Sequence, residues 1–329
     1  MTQLLLSGVN YQSESFGRVL AGMFSHKLSL LNNIITLAPD QIIAPVEGDY
    51  ASVPQWNALS GDADVITNGL TTTINAPSQF KHRAVWVERE KAWGADEIIM
   101  TIAGSQHDGT TAIANMIGEY WANQMHNTGI SVITGAAADA LAASHVYDDS
   151  GATISKEKGS QAKLKLGDNA DKLKSAVMNS KVYTDALVGN MIATAMGDNL
   201  IRTGNLDQFL GMNVYQSDKL TEIAGVYQSI FGMPGAMLYK TRPRKNAALS
   251  NANKFNVGNL EVELYRNSIT NGGYDALITR LSYCVVIPGV QYDDTGGVNP
   301  TETVLATSTS WTKVQTDDKL IPLVMYKSA

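Results

Sequence analysis

The stretch Ser105 to Ile130 reads SQHDGTTAIANMIGEYWANQMHNTGI. Asp108 can cap a helix by accepting from the free N–H groups of its first turn, and Gly129 can take the left-handed conformation that closes a helix at its other end. Ile113, Met116, Ile117, Tyr120, Trp121 and Met125 recur at helical spacing, whereas Asn115, Glu119, Asn123 and Asn127 hold the other side. The spacing predicts one long amphipathic helix, roughly 28 Å at ~1.5 Å per residue, enough to cross a domain. It buries one face and carries no reacting group.

Toward the N-terminus, Leu4 to Leu37 mixes Ser, Asn and Gly with scattered apolar residues and reads as an arm, with a short helix allowed by Phe16, Val19, Leu20, Met23 and Phe24. Leu28 to Phe80 contains neither Lys nor Arg but holds Asp40, Glu47, Asp49, Asp62 and Asp64. Its pieces read as strands and turns: Gln41 to Val46, Tyr50 to Trp56, a turn at Ser60-Gly61-Asp62, then the Thr-rich Val65 to Ile74. An acidic β-hairpin with an irregular tip fits. From Ala84 the pattern turns charged and helical, with Glu88-Arg89-Glu90-Lys91 as a solvated helix face and Ala95 to Ala103 as a short helix stopped by Gly104.

Beyond the long helix, the small residues from Gly135 to Ala143 and the polar sequence through Ser160 read as a boundary or loop. Gln161 to Leu166 completes a short helix ending at Gly167. Leu173 to Met178 is a buried strand, and Ser180 caps a helix over Lys181 to Ile192 that turns Val182, Ala186 and Leu187 inward. From Phe209 strands dominate: Phe209 to Tyr215, Val226 to Met233, Ala236 to Tyr239, Val257 to Tyr265, Asp275 to Ile287, and an internal Leu320 to Tyr326. Helices early and sheets late give an α+β chain rather than a doubly wound one.

The totals limit the chemistry. With 329 residues, 25 basic against 31 acidic and a net charge of −6, a broad nucleic-acid-binding face is not what composition favours. Cys284, the sole cysteine, lies in an apolar run and reads as a buried thiol in a reducing compartment. A secretion signal and a membrane-length apolar window are not apparent, so a soluble chain made inside the cell is expected. Phosphate-loop, dinucleotide, nucleophile-elbow and zinc-helix motifs are absent. The histidines (His26, His82, His107, His126, His145) are dispersed and read as solvated or locally bonded, while Asp168 and Asp171 read as caps rather than paired catalytic carboxylates. An enzyme assembled from Asp168, His145 and Glu119 is the weakest reading. No catalytic, metal or cofactor site is expected. Lys240, Arg242, Arg244 and Lys245 form a basic cluster that supports either a weak, salt-sensitive nucleic-acid contact or, the favoured reading, an inter-subunit contact for which the acidic hairpin is the complement.

Several stretches resemble one family. Leu166 to Leu187, LGDNADKLKSAVMNSKVYTDAL, is similar to the Leu-Gly-Asp turn and Met-His-Ser-x-x-Tyr strand-to-helix junction of tailed-bacteriophage major capsid proteins of the Hong Kong 97 type, with Asn179 in place of the His. Also similar are Glu90-Lys91-Ala92-Trp93 with the Tyr120-Trp121 pair as spine-helix entry, Phe209-Leu210-Gly211, the Phe231-Gly232 and Gly235-Ala236 turn, and the tail from Asn299-Pro300-Thr301 through Leu305-Ala306 and Trp311 to Ile321-Pro322-Leu323-Val324. The shared order spans about Val46 to Val324.

The resemblance implies residues 1–37 as an N-terminal arm, 38–84 as an extended β-hairpin loop and 85–134 as a peripheral domain with its spine helix. Residues 135–289 would be mainly axial domain, with some strands returning to the peripheral domain, and 290–329 a C-terminal segment. It implies pentamers and hexamers closing into an icosahedral head around double-stranded DNA, touched weakly and without specificity, in a virion assembled in the bacterial host cytoplasm. An encapsulin-like cargo shell is the alternative. Scaffolding, portal and decoration proteins are the further partners the resemblance allows, and the short stretch before the helix implies a separate scaffolding protein or none. Some members weld their shells with Lys to Asn isopeptide bonds from the extended loop; the lack of Lys between Leu28 and Phe80 implies a non-covalent shell here.

Overall fold

The computed structural model describes residues 4–6, 9–11, 34–37, 49–57, 59, 79–96, 109–193, 208–220, 222–243, 254–257, 259–267 and 274–329. Short strands come first: β1 (Leu4–Leu6), β2 (Val9–Tyr11), β3 (Ile35–Leu37), β4 (Tyr50–Trp56), β5 (Gln79–Val85) and β6 (Val87–Asp96). They precede the long helix α1 (Gly109–Ala138), followed by α2 (Ala142–His145), β7 (Val146–Asp149) and α3 (Lys156–Lys163). Next are β8 (Ser175–Met178), α4 (Ser180–Val188), β9 (Ile192–Ala193), β10 (Gln208–Phe209), β11 (Met212–Gln216), β12 (Tyr227–Gly232) and β13 (Met237–Arg242). The chain closes with β14 (Lys254–Val257), β15 (Leu260–Asn267), β16 (Tyr274–Val286), β17 (Val290–Tyr292), α5 (Glu302–Leu305), β18 (Trp311–Lys313) and β19 (Leu323–Ser328). The α+β class stands, although strands occur on both sides of the main helix.

The long helix is longer than its sequence pattern predicted, about 45 Å. Gly129 does not end it, and the run from Gly135 is its last turn rather than a boundary. Both glycines sit where another chain segment crosses closely: a Cβ on Gly129 would meet Ile35 Cδ1 at 2.9 Å, and one on Gly135 would meet Leu305 O at 2.2 Å. Their smallness serves packing, not termination. Ile117, Trp121, Met125, Val132, Ile133 and Ala136 form the buried stripe, but Met116 is exposed, and the capping role of Asp108 and the side chain of Ile113 lie outside the described residues.

That stripe packs on a sheet ordered β14-β15-β16-β13-β3, with β6 pairing antiparallel along β16 from Tyr283↔Val87 to Tyr274↔Asp96. Trp121 Nε1 donates to Thr279 Oγ1 at 2.9 Å and the Thr128 and Tyr283 hydroxyls lie 2.8 Å apart, pinning helix to sheet. Trp93 meets Tyr120 edge to face at 5.2 Å, and Tyr120 meets Trp121 likewise at 5.4 Å. Residues 87–96 are therefore strand, not the charged helix expected. Their charges pair across strands, as Glu90 does with Arg280, so charge alternation here marks the pleat of a strand. Most of the short helix expected from Ala95 lies outside the described residues; Ala95 and Asp96 themselves are strand.

A second sheet, β7-β19-β12-β8-β11-β10-β9, has β19 as an interior strand, in keeping with its apolar start from Leu323 to Tyr326. Phe209, Phe231, Tyr326 and Tyr147 form a column of rings with centroids 5.9–6.1 Å apart along one side. The polar region after α1 is ordered: it holds β7, α3 and a 3-10 segment from Leu164 to Lys172 kinked at Gly167 (φ +55°). Helix α4 is capped by Asn179, whose side chain accepts from Lys181 N at 2.9 Å, one residue before the expected Ser180. It ends at Val188, and Leu187 faces outward while Val182 and Ala186 are buried.

Candidate inter-subunit surface

The roots of the acidic hairpin are β4 and β5, paired antiparallel from Tyr50↔Val85 to Trp56↔Gln79. Alternation places Ala51, Val53, Ala84 and the following Trp86 on one side, where they pack on Leu238, Cys284 and Val286 of the main sheet. Arg83 ties the hairpin to its own subunit: Nε donates to Tyr292 O at 3.2 Å, Nη1 bonds Asp294 at 2.8 Å, and the guanidinium lies 4.9 Å over the Tyr50 ring. The root is thus seated on its own body, as are Ile34 and Ile35 at the end of the expected arm, which are buried in the main core beside β13. Farther out the character changes. Among the described residues Trp56 is 60% exposed and Leu59 82%, both large apolar side chains.

The contact on the sheet is thin and contains unpartnered polar groups. Among the described residues, His82 is buried with neither ring nitrogen hydrogen-bonded, and Trp86 Nε1 and Gln55 Oε1 also lack partners. Burial pushes the His82 imidazole down to about 4. It is neither solvated nor locally bonded, as its type suggested. Cys284 is a buried free thiol pushed up to about 12 by burial, so it is inert as expected.

The predicted charged residues fare differently. Asp49 is half-buried at the hairpin base, its carbonyl accepting from Trp86 N at 3.0 Å. Asp40, Glu47, Asp62, Asp64, Arg244 and Lys245 lie outside the described residues. Lys240 is half-buried on β13. Arg242 is buried inside its own subunit: its guanidinium stacks 4.3 Å over the Trp86 ring, Nε donates to Ser282 Oγ at 3.3 Å and Nη2 reaches Glu88 at 3.5 Å. Strand alternation puts it with Leu238 on the face that the hairpin covers, so it does not belong to a free basic patch.

The residues weighed for an enzyme are occupied structurally. His145 is buried with Ser144 Oγ 2.7 Å from Nδ1 and the carbonyls of Asp318 and Ile321 at 3.0 and 3.1 Å from Nε2. Asp168 pairs with Lys319 at 2.7 Å rather than capping, and Glu119 is exposed on α1. Among the described residues no group of three His, Cys, Asp or Glu is placed to hold a metal, and no helix is long and apolar enough to cross a membrane.

Sequence reasoning missed Arg89, which joins β6 to the C-terminal segment through Asn299 Oδ1 at 2.8 Å, Glu302 at 3.4 Å and Pro300 O. It also missed Arg280, held among Glu90, Glu261 and Glu263. The partners of Arg89 lie more than 200 residues along the chain, and those of Arg280 sit on two other strands, so neither leaves a local signal.

Comparison with known proteins accounts for this architecture. The chain is 25% identical over 293 residues to the major capsid protein of Bacillus phage SPP1, covering 85% of this chain and 83% of that one. Its fold is similar to a structure from Microbacterium phage Oxtober96 (TM-score 0.54, 13% identity, covering 92% of this chain and 90% of that chain). It is also similar to the capsid asymmetric unit of cyanophage Pam1 (TM-score 0.52, 10% identity, 91% and 89%). The fold is thus the Hong Kong 97 type of tailed-phage capsids. Because the model of the Gp13-like family, major capsid protein 13-like, matches residues 33–264, well over half of the sequence, the chain belongs to that family of phage major capsid proteins.

Proposed function

We propose that copies of this chain associate into pentamers and hexamers that close into an icosahedral head around packaged double-stranded DNA. The observation that carries this reading, beside family membership, is the hairpin. Its root is anchored by Arg83 and a small apolar cluster, while Trp56 and Leu59 are exposed among the described residues, and another copy can cover them. Many such overlaps, each weak, sum to a stable shell through multivalency.

In this reading residues 38–84 reach a neighbour, and the peripheral body comprises α1 with β6 and the returning strands β13–β16. The seven-stranded sheet forms the axial body. The role is structural and the destination is the virion, with assembly in the host cytoplasm and scaffolding, portal and decoration proteins as further partners. Asp40, Glu47, Asp49, Asp62 and Asp64 supply the acidic side of the contact and Arg244 and Lys245 the basic side, without Arg242 or Lys240, which shares the hairpin-covered face of β13 with it. A cellular cargo shell of the same fold is disfavoured, since the curated relative is a phage capsid protein. Particles isolated from phage-producing cells test the reading: they contain genomic duplex DNA, and particles filled instead with a single cargo protein would overturn it.

A further inference from the structure

The polar stretch after the long helix carries a dense run of cations. Lys156, Lys158, Lys163, Lys165 and Lys172 lie on α3 and the 3-10 segment that continues it, and Lys174 follows two residues on, just before β8, with only Glu157, Asp168 and Asp171 among them. Asp168 is taken by Lys319. The ammonium groups of Lys163 and Lys165 donate to the carbonyls of Leu210 and Ala143, each at 3.2 Å, which fixes their direction without neutralising them. Lys156, Lys172 and Lys174 are exposed and Lys158 half-buried, and none of the four forms an ion pair among the described residues. Gly159 and Ala162 are buried, Gly159 against Phe209, so the lysines of α3 itself lie on the helix's other faces. In a chain of net charge −6 this is a local reversal of sign.

Resting on the capsid reading above, we propose that this lysine crest lies on the inner wall of the head and contacts the phosphates of packaged duplex DNA. Helix α3 is about 12 Å long, and a duplex presents roughly seven phosphate charges over that length. Lysines act as point charges with no base readout, so the contact is weak and independent of sequence, as DNA that must later leave requires. A second copy's acidic segment fits less well. Leu164 is the one large apolar side chain exposed on the crest, which therefore lacks the apolar centre that a protein interface buries.

Four engaged ammonium groups give a logarithmic salt slope of about −3.6, so binding of the unassembled full-length chain to a short duplex weakens about 100-fold from about 50 to about 200 mM salt. Fluorescence anisotropy reads this directly. Replacing Lys156, Lys158, Lys172 and Lys174 together by Gln flattens the slope by about 3 to 4 and leaves circular dichroism and shell formation unchanged. An unchanged slope in the variant, or loss of shell assembly with DNA binding retained, would overturn the proposal. So would labelling of the crest lysines on intact filled heads by an amine reagent that cannot cross the shell. Failure of the unmodified chain to form shells would instead count against the capsid reading.

Discussion

Two glycines of one helix predict different outcomes for the same substitution. By helix propensity alone, Gly→Ala within α1 stabilises by ~1 kcal/mol at either position. At Gly129 the new methyl would meet Ile35 Cδ1 at 2.9 Å, the free end of a side chain that can rotate away, so Gly129→Ala is neutral to within about 1 kcal/mol. At Gly135 it would meet Leu305 O at 2.2 Å and Trp311 Nε1 at 2.6 Å, the acceptor and donor of a buried hydrogen bond 2.7 Å long. Either α1 is pushed off α5 and β18, or the bond breaks. Overpacking costs about 1–3 kcal/mol and an unmade buried bond about 1–3 more, so after the propensity gain Gly135→Ala loses about 1–5 kcal/mol. Urea unfolding of the unassembled chain, followed by circular dichroism for the two variants side by side, measures the difference. Equal stabilities, or a Gly135→Ala chain at least as stable as the parent, would refute the reasoning.

His82 should make the subunit acid-sensitive. Its folded pKa of about 4 lies below the usual 6.5, so the unfolded chain binds the extra proton and stability falls as pH drops from 6.5 toward 4, by up to about 3 kcal/mol. His82→Leu removes this part of the slope in denaturation measured at several pH values, and an unaltered slope would show that another group is responsible. Arg242→Ala should lower the melting temperature of unassembled subunits, because the stack on Trp86 and the bond to Ser282 are internal; a defect confined to shell formation would place Arg242 at an interface instead. Mature particles boiled in detergent should run as a single band near 35.4 kDa, and a ladder of multiples would reveal covalent welding despite the lysine-free segment.

The main helix was legible in the sequence because Ile117, Trp121 and Met125 repeat every turn, but its length was not. A glycine placed for close approach looks the same in sequence as one that closes a helix, and only Leu305 and Trp311, far along the chain, tell them apart. Residues 87–96 misled for a related reason: their alternating charges fit a solvated helix face until Arg280 supplies the cross-strand partner. The hairpin root was readable from Tyr50 to Trp56, as was the burial of Cys284. Arg242 was not, since its inward turn depends on Trp86 and Ser282 meeting it from two other strands. For the candidate surface, composition revealed the acidic segment but not Trp56 and Leu59 as the apolar side chains left uncovered, which is a property of the folded body.

The central claim is that this chain is complete only among its own copies. Cryo-electron microscopy of the purified full-length protein tests it most directly. The account predicts closed shells of pentamers and hexamers in which residues 58–78 lie across an adjacent subunit and cover its Trp56 and Leu59 or are covered with them. Single compact subunits in every buffer and at every concentration, with residues 58–78 folded onto their own body, would contradict it.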